Sequence, residues 1–412
     1  MQDQTMKEFA GRKILFIVEN LPLPFDRRVW QEAIALKDKG AIVSIICPKG
    51  KGYDKNFEFI DNIAIYRHPL PFEADGPLGY LLEYTTALFY EFILSLKVLF
   101  TRGFEVIHAC NPPDLIFLIA KPYKLFGKKF LFDHHDINPE LYIAKFNKKN
   151  FFYKLMLFFE KKTFKNALIC IATNNSYKQI AINRGKKNPA DVFIVRSGPC
   201  LDRLQIIDPV NELKKGKKYL VGYVGVIGKQ EGLMYLIDSC EYIVKQRKRN
   251  DIHFICIGDG TELNNVINYA KEKKIEEFFT FTGRVSDQKL LEALNTADVC
   301  VNPDEFNEMN DKSTMNKIME YMALAKPIVQ FDLKEGRFSA QQSSLYAKHN
   351  DPIDMAEKIL NLLDNPEKRK KMGIYGYNRV RNELQWKFEK ENLYNAYRKI
   401  FNLNKKISTQ NN

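Results

Sequence analysis

The sequence predicts an α/β protein built from two doubly wound parallel sheets in succession. Two observations carry this expectation. Short apolar runs of strand length alternate with segments of helical periodicity, the pattern of βαβ units, and that alternation stops once, near residues 200 to 218, before it starts again. The length agrees, because 412 residues accommodate two domains of ordinary size.

In the first half the strand-like runs are "KILFIVE", "AIVSIICP", "IAIYRHP", "EVIHAC", "KFLFDHHD", "ALICIAT" and "VFIVRSG". Helices are expected through Arg28 to Lys39 and over residues 78 to 100. The stretch "SGPCLDRLQIIDPVNELKKGKK" is polar and punctuated by Pro and Gly, so a linker is expected at 201–218 between domains at 1–200 and 219–385. The second half repeats the alternation with "KYLVGYVG", "IHFICIGDG", "FFTFTGRV", "DVCVNP", "KPIVQF" and "SLYA". Residues 386–404 have the apolar spacing of a docking helix, and 405–412 form a polar tail. Ligands of such sheets bind outside the carboxyl ends of the strands, so two of them facing each other would put the site in a central cleft.

Composition narrows the class. Lys and Arg (63) exceed Asp and Glu (50), a net charge of +13 that favours anionic partners: phosphorylated small molecules, acidic lipid or nucleic acid. The seven cysteines are scattered and mostly lie in apolar runs, as expected of core residues in a reducing compartment. No CxxC or HExxH spacing occurs and the histidines form one adjacent pair, His134 and His135, so no metal is expected. The start "MQDQTMKEFAGRK" is too polar for a secretory signal, which points to the cytoplasm. Two windows, 87 to 100 and 147 to 165, interleave charge with aromatic and aliphatic residues. Each suits a helix lying on an anionic membrane surface, here the inner face of the plasma membrane, and equally a helix whose apolar side packs on a domain.

The segment "STMNKIMEYMALAKPIV" combines both kinds of surface. Met315, Ile318, Met319 and Met322 share one helical face, whereas Lys317, Glu320 and Leu324 share the opposite one, and Ser313 or Thr314 is positioned to cap the start. A surface ion pair between Lys317 and Glu320 is the plain explanation. A binding role is the other, supported by three glycine loops that leave strands and enter helices: "GVIGKQEG", "GDGTE" and "GRVSD". Glycine lets backbone approach a phosphate closely and a helix start favours negative charge. Gly225, Gly228, Gly258, Lys229, Arg284 and Lys317 would then hold a diphosphate, with Glu320 accepting from ribose hydroxyls.

The segments "GVIG…EGL", "ICIGDGTEL", "FTGRVSDQKLLEALNTADVCVNP" and "EYMALAKPIV" resemble the donor domain of family 4 retaining glycosyltransferases with the GT-B architecture. "ENLPLPFDRRVWQEAIALKDKGAIVSIICPKG" looks like the opening of the bacterial branch that builds surface polysaccharides, and "LQWKFEKENLYNAY" is similar to its crossover helix, which docks back on the N-terminal domain. The resemblance implies that Glu320 is the second glutamate of the family's pair and binds the donor ribose. The first glutamate would fall on Lys312, with Asp311 and Glu308 the nearest acids, and the arginine and lysine of the family's first donor loop fall on Val226 and Glu231. Lys317 matches a subgroup with lysine three residues before the glutamate. His135, followed by Asp136 in "DHHDINPEL", resembles the histidine near the transferred sugar. Asp26, Arg27 and Arg28 replace the family's glycine-rich first loop and either face a phosphorylated acceptor or form an exposed cluster at a helix start.

The resemblance implies a metal-independent enzyme without cofactor that transfers sugar, with retention, from a nucleotide-diphosphate sugar, UDP favoured over GDP. The acceptor would be a glycan or a polyprenyl-diphosphate-linked intermediate of exopolysaccharide, capsule or O-antigen synthesis. Its catalytic residues would be His135, Asp136 and Lys317. A nucleotide-sugar epimerase on the same architecture and a non-enzymatic polyanion-binding protein are the alternatives. A nicotinamide dehydrogenase is disfavoured because neither half has GxGxxG at its first strand, and nucleic acid is not an expected partner because the basic residues are spread through helices.

Overall fold

The computed structural model describes residues 7–69 and 76–402. The chain divides into two compact units, one running to Arg196 and resuming at Glu389, the other spanning Ser197–Phe388. The expected tail at 405–412, and residues 403 and 404 of the expected last helix, lie outside the described residues.

The first unit holds an eight-stranded sheet: β1 (Lys13–Ile17), β2 (Ile42–Pro48), β3 (Phe57–Ile60), β4 (Ile63–His68), β5 (Val106–Cys110), β6 (Lys129–His134), β7 (Ile169–Ala172) and β8 (Val192–Ile194). Their order is β3-β4-β2-β1-β5-β6-β7-β8. The pairings are parallel except β3 with β4. Strands β1, β5, β6 and β7 are buried almost throughout, which explains why they read as continuous apolar runs rather than alternating ones. The edge strand β3 was not expected. Its Phe57 and Phe59 point outward, 43% and 56% exposed, so "FEFI" lacks the unbroken apolar signature of a central strand.

In the second unit β9 (Tyr219–Val224), β10 (Ile252–Ile257), β11 (Phe279–Phe281), β12 (Val299–Asn302), β13 (Ile328–Phe331) and β14 (Ser344–Ala347) form a fully parallel sheet of order β11-β10-β9-β12-β13-β14. The helix that follows β9 runs Leu233–Glu241 and continues as a π-helical turn, Tyr242–Gln246. Residues 201–218 pack on this sheet's helices rather than hang free: Leu204 joins the core around Ile318 and Met322, and Val210 N–H donates to Thr296 Oγ1 at 2.8 Å.

Helix Trp386–Phe401 lays its later turns on the first unit. Tyr397 Oη lies 2.9 Å from His108 Nδ1, and Tyr394 Oη donates to Ala35 O at 3.2 Å. All seven cysteines are unpaired, and all but Cys200 are buried. Among the described residues no helix is long and apolar enough to cross a membrane.

Candidate active site

Three glycine turns at the carboxyl edge of the second sheet are stitched together. After β9, Gly225 N–H donates to Ile257 O at 3.0 Å, and after β10, Gly258 N–H donates to Gly283 O at 3.0 Å. A Cβ on Gly258 would lie 1.8 Å from Gly225 O, so no other residue fits there. The sequence suggested that these loops offer their N–H groups to an anion. The structure corrects this for Gly225 and Gly258, whose N–H groups already have backbone acceptors, and for Gly228, whose N–H donates to Glu231 Oε2 at 3.1 Å. Their contribution is room for close approach, and the cradle's amide at Gly228 is occupied by the chain's own carboxylate. Burial pushes the Glu231 carboxyl above its ordinary value, and Lys317 opposes that shift.

Helix Asn316–Ala323 delivers two charged side chains to this edge. Ile318, Met319, Tyr321 and Met322 are buried, and the tyrosine hydroxyl accepts from Val224 N–H at 2.9 Å, fixing the helix against the end of β9. Two expectations change. The N-cap is Met315, which makes no side-chain cap, rather than Ser313 or Thr314, because the chain stays extended to that point. Leu324 is buried instead of sharing the charged stripe, since it closes the helix and turns into the core.

Lys317 and Glu320 do not serve as a simple pair. Lys317 Nζ donates to Asp304 Oδ1 at 2.7 Å and stands 4.9 Å from the Tyr223 ring centre, its side chain 10% exposed. Asp304 lies just beyond β12, is itself buried, and its second oxygen has no hydrogen-bond partner. A Cβ on Gly225 would approach Lys317 Cε to 3.3 Å, so this glycine and this lysine share one small space. Glu320 is held by Arg203, whose guanidinium also lies 3.4 Å from Asp287. Lys229 and Arg284 are exposed on their loops. Of the acids nearest the vacated glutamate position, Asp311 accepts from Lys334 N–H at 2.8 Å and Glu308 pairs with Lys312. The sequence reading missed Arg203, hidden in the presumed linker, and Asp304, whose only signal was an acid directly following the run "DVCVNP".

The first unit contains a second, more deeply buried cluster. Helix Arg27–Asp38 starts at Asp26, whose carboxylate accepts from Val29 N–H at 3.2 Å as its N-cap. Arg28 is no exposed acceptor-facing residue, as the sequence allowed. Its guanidinium contacts Asp133 Oδ1 at 3.1 Å, Glu32 Oε1 at 3.2 Å and Val195 O at 2.8 Å, because β6 ends in a buried acid that needs a cation. Arg27 is exposed beside it. Burial alone would raise the Asp133 carboxyl, yet Arg28 and His135 outweigh it and hold it well below the usual range. Glu32 goes the other way, raised by burial and by the Asp133 charge. Two neighbouring acids beside one guanidinium are thus shifted in opposite directions.

His134 and His135, adjacent in sequence, separate completely in environment. His134 is fully buried, and burial lowers its pKa to about 3, so it is a neutral core residue. His135 Nε2 lies 2.6 Å from Asp133 Oδ2 and 2.8 Å from Arg28 Nε. The first contact as a hydrogen bond needs a proton on that nitrogen and the second a lone pair, so the two do not form at once. The His135 and Asp136 N–H groups converge on Asn111 Oδ1 at 2.7 and 3.1 Å, which orients the loop after β6. Burial raises the Asp136 carboxyl, against the nearby His135. Although no metal was expected, Glu32, Asp133 and His135 bring ligand atoms within 4.8 Å of one another, as do His108, Cys110 and Asp133. Arg28 already supplies the positive charge in the first group, so the donor set as built serves a guanidinium.

Comparison with known proteins bears on both units. Residues 218–365 match the family model described as glycosyl transferases group 1. Two uncharacterized glycosyltransferases of Methanocaldococcus jannaschii are similar. MJ1069 is 23% identical over 89% of this chain and 91% of its own length, and MJ1178 is 27% identical over 56% of this chain and 60% of its own length. Among solved structures, sucrose-phosphate synthase from Thermosynechococcus elongatus superposes with a TM-score of 0.75 at 18% identity, covering 95% of this chain and 100% of that one. Anabaena HepE, in complex with UDP and glucose, reaches 0.72 at 12% identity over 94% and 100%. The fold is GT-B. Together these matches support glycosyltransferase activity, with the matched family segment spanning most of the second unit.

Proposed function

We propose that the protein is a retaining, metal-independent glycosyltransferase that takes a sugar from a nucleotide-diphosphate donor, preferably a UDP-sugar. The acceptor in this reading is a glycan or a polyprenyl-diphosphate-linked intermediate of cell-surface polysaccharide synthesis, met by a cytoplasmic enzyme at the inner membrane face. The observation that carries the reading is the position of helix Asn316–Ala323: Lys317 meets the Gly225 turn, while Glu320, one turn later and half-buried, is presented by Arg203. A carboxylate has several acceptor lone pairs, so Glu320 can keep Arg203 and still accept from ribose hydroxyls. The UDP held by HepE, a protein of the same fold, supports such a donor.

In this mechanism the bond from C1 of the sugar to the leaving phosphate oxygen breaks as the acceptor hydroxyl bonds to C1 on the same face. The acceptor's proton passes to the departing phosphate. Positive charge grows on the sugar ring and negative charge on the diphosphate, so Lys317, Lys229 and Arg284 stabilise departure by electrostatics prepared in advance. His135 and Asp136 are assigned to the transferred sugar and Asp26 and Arg27 to the acceptor. Arg28 acts through Asp133 and His135, as a positioning residue.

The test is a thermal-shift series with UDP, GDP and ADP. UDP should raise the melting temperature most, and Glu320→Ala should weaken UDP by at least about tenfold, ~1.4 kcal/mol, while shifting the unliganded melt little. If no nucleoside diphosphate stabilises the protein, the donor assignment is wrong. Turnover that persists in EDTA and a product of unchanged anomeric configuration by NMR are the expected outcomes for the metal and stereochemical parts.

A further inference from the structure

The first unit contains an open cavity of about 120 Å³ that none of the residues assigned above explains. One wall is helix Phe151–Asn166, which Asn150 caps by accepting from the Phe152 and Tyr153 N–H groups. Phe152, Leu155, Met156 and Phe159 line the cavity from that helix. They fall at i, i+3, i+4 and i+7, the spacing of a face that normally packs on a core. Here all four stay only half-buried and front an opening, so the helix has an apolar face without enough protein to cover it. The opposite wall comes from helix Asn138–Phe146.

Positive charge borders the outer part of this apolar space. Residues 141 to 159 contain Lys145, Lys148, Lys149 and Lys154 and no acid, and Lys145 itself lines the cavity. Phe151 and Phe158, 71% and 50% exposed, extend the same helix's apolar surface outward. The inner end is polar and ordered. The Asp114 carboxylate accepts from Asn111 Nδ2 at 2.9 Å and Asn138 Nδ2 at 2.8 Å, and Asn111 Oδ1 in turn accepts the His135 N–H. A chain lying in the cavity would therefore end one residue's hydrogen bonds away from the loop that carries His135.

We infer that this cavity binds the apolar chain of the acceptor, an anionic lipid of the prenyl phosphate class, with Lys145 pairing its phosphate. The inference rests on the acceptor class proposed above and adds where that acceptor sits. An apolar wall with Lys145 at its edge, and Lys148 and Lys149 on the connection between its two helices, matches one ligand chemistry, a hydrocarbon chain joined to a phosphate, and the link through Asn111 puts that ligand on the side of the candidate sugar-handling loop.

The experiment uses the full chain and geranylgeranyl monophosphate below the concentration at which it self-associates, followed by titration calorimetry. Saturable one-to-one binding is expected, with inorganic phosphate inert and geranylgeraniol at least about tenfold weaker. Met156→Trp, which fills the cavity, should abolish binding. Lys145→Glu, at an exposed position, should weaken the phosphate by about tenfold without changing the alcohol, and it decides the matter if Met156→Trp does not fold. UDP binding is measured on every variant as a separate reading of the donor site. Prenyl phosphate binding without UDP binding would retain this inference and overturn the donor reading, whereas the reverse would overturn only this inference. Binding to phosphatidylglycerol vesicles with no saturable binding of the single lipid would show a membrane-facing surface instead, and a dimer that occludes the cavity would show a self-interface. Either result overturns the inference.

Discussion

The two units solve the same problem, charge at the ends of parallel strands, in opposite ways. In the first, Arg28, Glu32, Asp133 and His108 are enclosed, and each has a polar partner less than 4 Å away. In the second, the strand ends are glycine turns bonded to one another by backbone, and the charged groups Lys229, Arg284 and Glu320 remain accessible at their edge. A buried ionic network is costly to disturb and well suited to holding one histidine in one orientation. A backbone-built edge tolerates changes in its side chains and suits a ligand that brings its own charge. The contrast teaches that acidic residues near a strand end do not have one meaning: Asp133 organises structure, whereas Glu231 occupies space that a ligand's phosphate would use.

The strongest challenge to this contrast is Arg28→Met. It leaves Asp133 buried without its guanidinium partner, so a loss of about 3–5 kcal/mol in denaturant unfolding is expected, the usual cost of breaking a buried pair from one side. A loss under about 1 kcal/mol would mean that the first unit's network is as forgiving as an exposed one. Next in size, Gly258→Ala tests whether the second unit is held by backbone. With φ at 142° and Gly225 O at 1.8 Å from the new methyl, a loss of about 2 kcal/mol or more is expected, together with weakened nucleoside diphosphate binding. If the variant melts like the parent, the stitched turns are not structural.

The smallest expected effect separates the two kinds of acid. Glu231 has a raised pKa in the folded chain, so between its ordinary value and that raised value the folded state keeps a proton that the unfolded chain has lost. Its contribution to stability therefore declines as pH rises through that window. Glu231→Gln removes this dependence, keeps an oxygen for the Gly228 N–H, and should tighten UDP within about tenfold, most visibly at the alkaline end where the parent carboxylate is charged. A variant that binds UDP more weakly at every pH would show that the carboxylate helps the ligand.

Much of this was legible along the chain. The runs around β1, β5 and β6, and the four interior runs of the second half, identified strands because parallel strands buried on both faces need uninterrupted apolar sequence. Glycine after a strand marked the three turns, and the mixed face of "NKIMEYMA" separated Lys317 and Glu320 from the methionines. The exposed strand β3 was not legible, since edge residues are free to be polar or aromatic. Neither was the difference between His134 and His135, because the pleat sends neighbours to opposite sides but cannot say which side is occupied.

Local pattern therefore accounts for the two sheets, their glycine-ended strands and the helix bearing the two charged residues, since periodicity and backbone freedom act over a few residues. Partnerships required the folded chain. Arg28 meets Asp133 across 105 positions and Arg203 meets Glu320 across 117, and whether an ion is buried with its counterion or left at the surface follows from packing that no short segment encodes. The identity of the cation beside each acid, and hence which groups are structural and which are open to a ligand, was settled by burial.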